Sequence, residues 1–73
     1  MQDEIDARIA TADVLTLLLH NQHALAAAIE EVALWARASG SSEAHQNAVT
    51  TLQTIDDNAS AISAGILRIR MGR

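Results

Sequence analysis

Ser39-Gly40-Ser41-Ser42 is the only strong cluster of helix breakers in this chain. Glycine suits the left-handed position that follows a helix. A serine after it suits the cap of the next helix, with Glu43 in the first turn. The cluster therefore predicts one helix over about 3–38, a turn over about 39–41 and a second helix over about 42–70. Proline is absent and alanine is abundant, so neither helix meets an internal breaker.

Outward from the turn, two apolar stripes run at helical spacing. The first is Ala12, Leu15, Leu18, Gln22, Leu25, Ile29, Val32, Ala36. The second is His45, Ala48, Leu52, Ile55, Ala59, Ile62, Ile66, Ile69. A fold-back at Gly40 sets Val32 against Ala48, Ile29 against Leu52, Leu25 against Ile55, Leu18 against Ile62 and Leu15 against Ile66. The expected fold is an all-α antiparallel hairpin. His20-Asn21-Gln22-His23 offers the alternative, a break near Asn21 and a three-helix bundle. The stripe keeps its phase through that segment, which favours one continuous helix.

Composition narrows the function classes. Seventy-three residues make at most one small domain. There is no cysteine, so disulfides and thiolate metal sites are excluded. The net charge is −4, the wrong sign for a nucleic-acid backbone as partner. All basic residues are arginine; with so much alanine, this points to a GC-rich bacterial or phage genome. Met1-Gln2-Asp3-Glu4-Ile5-Asp6 is acidic, unlike a secretory signal, and Val14–Leu19 is too short to span a bilayer. The expected location is the cytoplasm, with no membrane partner.

A single hairpin leaves too much apolar surface for water. Val14 and Leu17 flank the first stripe; Ala61, Ala64, Gly65 and Leu67 flank the second. Ile5 and Ile9 overrun the end of the second helix. These residues, with Gln22 as a polar layer, are the expected interface of a homodimer, two hairpins forming a four-helix bundle. Gly65 is expected to permit close approach of another helix, since a helical glycine costs about 1 kcal/mol.

No constellation points to catalysis. Glu30-Glu31 and Asp56-Asp57 are paired carboxylates, but neighbours on a helix point about 100° apart. His20 and His23 have a spacing compatible with two metal ligands, yet His45 falls far away and no third ligand is in view. The expectation is therefore no cofactor and no metal, with a metal- or ligand-binding bundle on His20 and His23 as the minor reading. Asp13 is expected near Arg68, and the acidic first turns near Arg70 and Arg73. Residues 14–67 carry Glu30, Glu31, Glu43, Asp56 and Asp57 against Arg37 alone. Such a surface suits a basic partner. Trp35 is expected to pack at the loop end of the core, with a binding hot spot as the other reading.

The functional expectation is a small, acidic, non-catalytic interaction module. An adaptor or inhibitor that binds a larger protein and modulates it comes first, with Glu30, Glu31, Trp35, Asp56 and Asp57 as partner-binding candidates. A structural subunit of a larger helical complex is the alternative.

Overall fold

The computed structural model of this chain describes residues 1–72. It holds two helices, α1 (Gln2–Ala38) and α2 (Ser42–Arg70), folded into an antiparallel hairpin. α1 runs unbroken through Asn21, so the three-helix alternative does not arise. Asp3 and Glu4 lie in the first turn of α1, and Arg68 and Arg70 in the last turn of α2. Both placements complement the helix dipoles.

The turn satisfies the end of α1 with backbone alone. Gly40 adopts φ +85°. Its N–H donates to the Arg37 carbonyl at 3.1 Å, and the Ser41 N–H donates to the Ala36 carbonyl at 2.8 Å. These two bonds form a Schellman motif. Ser41 occupies the cap position of α2, but its hydroxyl makes no capping bond; the sequence had suggested a serine side-chain cap. The Ser41 carbonyl instead accepts the His45 N–H at 3.0 Å. Gly40→Ala should therefore cost about 1–2 kcal/mol, through backbone strain in the left-handed region. A Cβ there would meet nothing within 4 Å, so no steric clash adds to that cost. Thermal melting checks this: an unchanged midpoint would show that the turn does not need glycine.

The seam between the helices corrects the first stripe. On α2 the inward-facing residues are His45, Ala48, Leu52, Ile55, Ala59, Ile62, Ile66 and Ile69, as expected. On α1 they are Ala12, Leu15, Leu19, Gln22, Ala26, Ile29, Ala33 and Ala36. Leu19, Ala26 and Ala33 take the places expected for Leu18, Leu25 and Val32. Both rows now alternate steps of three and four, the 3.5-residue repeat of helices coiling around one another. Opposed residues have numbers that add to 81 throughout. The reason for the correction is volume. Ile55 lies opposite Ala26 and Ala48 opposite Ala33, so these two layers keep a small residue on α1, while Leu19 supplies the same bulk as Leu18 opposite Ile62. Leu25 against Ile55 would overfill the same layer.

The core is thin. Ala12, Leu19, Ala33, Ala36, Ala59 and Ile66 are buried, and Leu15, Ile62 and Ile69 pack on its open end. The molecule is a rod of 58 × 16 × 10 Å with a radius of gyration of 16.7 Å. A compact chain of this length has a radius of gyration of about 11 Å. Among the described residues, no helix is long and apolar enough to cross a membrane.

Candidate interaction surfaces

Two edges flank the seam, and their chemistry differs. On α1, Thr16, His23, Glu30 and Arg37 recur every seven residues along one edge. On α2, Asp56, Ser63 and Arg70 recur in the same way. These two rows share one side of the hairpin. His23, Asp56, Ser60 and Ser63 line a common shallow depression. Arg70 donates to Asp13 at 3.0 Å and to the Thr16 hydroxyl at 3.3 Å. Asp13 thus pairs with Arg70 rather than with Arg68. Both side chains of the pair are solvent-exposed, which limits its worth to about 0.2–1 kcal/mol. The expected approach of Arg73 lies outside the described residues.

The other edge has no charge over most of its length. Thr11, Leu18, Leu25 and Val32 form the row beside the seam on α1, and Ala7, Val14, Asn21, Ala28 and Trp35 the next row out. Leu18, Leu25 and Val32 are 51%, 54% and 60% exposed. Trp35 is 69% exposed, so it does not fill the loop end of the core. That end is closed by Ala33, Ala36 and His45. The imidazole Nδ1–H of His45 donates to the Ala33 carbonyl at 2.9 Å. An aromatic ring has no room where backbone and imidazole approach this closely.

The sequence-nominated interface residues scatter over several places. Val14 and Leu17 are exposed on the outer side of α1. Helix geometry sets Ala61 and Gly65 on the same side of the hairpin as Leu18, while Ala64 and Leu67 turn away from it. A Cβ on Gly65 would meet only an Arg68 guanidinium nitrogen at 3.9 Å, so α1 does not require glycine there. Gln22 sits half-buried inside the seam opposite Ala59. No buried side-chain nitrogen or oxygen lacks a partner among the described residues, so the Gln22 amide is not stranded. Ile5 and Ile9 lie on the overhang of α1. With Arg8, Ile69, Arg70, Met71 and Gly72 they line an open notch at the end of the rod.

The acidic candidates divide as well. Glu30 and Asp56 belong to the charged edge, while Glu31 and Asp57 face outward from separate helices. Trp35 lies across the rod from Glu30. His20 is exposed on the outer side of α1, and only His23 of the two comes alongside a carboxylate of α2. Among the described residues, no three His, Cys, Asp or Glu side chains come together as a metal site would require.

The row of Leu18, Leu25 and Val32 as an exposed surface escaped the sequence reading. Its signal was present: these residues recur every seven positions, a repeat a seam and its edge share. No family model, curated protein or solved structure matches the chain.

Proposed function

We propose that this hairpin is a non-catalytic interaction module, an adaptor or inhibitor that binds a larger protein and modulates it. The observation that carries this reading is the segregation of chemistry along one rod. One edge is charged, with Glu30 and Asp56 beside Arg37 and Arg70; the opposite edge is uncharged and largely apolar from Ala7 to Trp35 on α1. A thin core between two such edges leaves surface as the main thing the molecule can use. Glu30 and Asp56 on that edge, with Glu31 and Asp57 on the outer faces, suit a basic partner surface, through a field that salt weakens.

Charge reversal tests this reading. The immobilised native chain and its Glu30→Lys, Glu31→Lys, Asp56→Lys, Asp57→Lys variant would be exposed to lysate of the native host. The expected result is one protein held in stoichiometric amount by the native chain, released by salt and lost by the variant. Equal retention by both would sink these four acids as the binding surface. Recovery of a many-subunit assembly would instead favour a structural subunit, a reading supported by the unbroken seam and the 58 Å length.

A further inference from the structure

We infer that the uncharged edge of α1 is the docking surface for a second copy of this chain, with the two α1 helices antiparallel about a twofold axis at Leu25. Area is the first argument. The chain exposes 5446 Å². A folded monomer of 7.8 kDa exposes about 4,400 Å². The excess of about 1,000 Å² is comparable to the roughly 800 Å² that each partner buries in a stable pair.

Self-complementarity is the second argument. A twofold contact requires that each residue meet a position whose own counterpart is that residue. The edge meets this condition around Leu25. Leu25 falls opposite itself and Leu18 opposite Val32 of the second copy, while Val14 and Trp35 come within one residue's rise of each other. The polar Asn21 falls nearest Ala28 in the facing row, which is small enough to leave its amide a path to water.

Two threonines on the edge already satisfy their own hydroxyls. The Thr11 hydroxyl donates to the Ala7 carbonyl at 2.8 Å. On the adjoining edge of α2, the Thr51 hydroxyl donates to the Asn47 carbonyl at 3.0 Å. Both threonines therefore offer methyl groups to a neighbour. Gly65, beside Leu18, presents no side chain to the second copy, and the Arg68 guanidinium borders the edge there. Such a pairing leaves Glu30 and Asp56 on the far side of each hairpin. It does not depend on the acidic edge having a partner.

Sedimentation at micromolar concentration provides the test. The native chain should be a dimer. Leu25→Glu places two like charges at the axis and should raise the dissociation constant at least about 100-fold. Leu34, 55% exposed against 54% for Leu25, lies across the rod, so Leu34→Glu should remain a dimer. If Leu25→Glu fails to fold, single cysteines decide the matter, since the chain has none of its own. Oxidised Leu25→Cys should form a covalent dimer and Leu34→Cys should not. A monomeric native chain would overturn the inference. Equal disruption by Leu34→Glu, or equal cross-linking at position 34, would do the same. A monomer that still captured a partner through its acids would leave the interaction module standing without the dimer.

Discussion

Leu19→Ala should largely unfold this protein. Leu19 is 9% exposed, a large side chain among the few buried residues, and it lies opposite Ile62 in the seam. Cutting a buried leucine to alanine costs about 2–5 kcal/mol. A core of this size supplies roughly 3–5 kcal/mol in total. The two ranges overlap, so the variant should lose most of its helical signal in far-UV circular dichroism near room temperature. Leu17→Ala is the control. Leu17 is 64% exposed two positions away, and its truncation should stay within about 0.5 kcal/mol of neutral. Similar melting of the two variants would show that Leu19 is not the inward member of the Leu17-Leu18-Leu19 run.

Ala33→Leu should be the second most damaging change, and in the opposite sense. Ala33 is 2% exposed. It lies opposite Ala48, and its carbonyl accepts the His45 imidazole at 2.9 Å. Two alanines facing each other hold α1 and α2 close at this end, and the Schellman turn leaves little slack to separate them. A leucine adds three carbons where no space exists. Overpacking of this kind costs about 1–3 kcal/mol, and loss of the His45 bond adds about 1 kcal/mol more. The melting temperature should fall accordingly, although leucine is a good helix former. Ala27→Leu, at an exposed position of the same helix, should leave it nearly unchanged. A stabilised Ala33→Leu variant would mean that the seam is looser at the loop than these distances imply.

These two positions also mark how far the sequence could be read. The turn at Ser39–Ser41 and the stripe on α2 were legible because each has one solution. A single breaker cluster exists, and α2 has one apolar row on a polar background of Thr, Gln, Asn, Asp and Ser. α1 is different. It is apolar around much of its circumference, so two rows compete for the seam and share Ala12, Leu15, Gln22, Ile29 and Ala36. Hydrophobicity prefers the row with Leu18, Leu25 and Val32. The observed row takes Leu19, Ala26 and Ala33.

Trp35 and Asp13 were misread for a related reason. The position of each follows from the rotation of α1 about its own axis. Keeping five seam positions and moving the other three on by one residue turns the helix by well under the roughly 100° between neighbours. Turning the helix that far moves a side chain from the core end to the outside. The Asp13–Arg70 pair likewise follows from the edge on which the two helices bring those residues together.

Hairpin topology, helix limits and the inward face of α2 follow from local chemistry, because glycine, serine and an uninterrupted apolar repeat act over a few residues. The rotation of α1 follows from volume matching across the seam, where Ala26 and Ala33, rather than Leu25 and Val32, meet Ile55 and Ala48. That long-range constraint turns Leu18, Leu25, Val32 and Trp35 outward, onto one exposed edge of the rod.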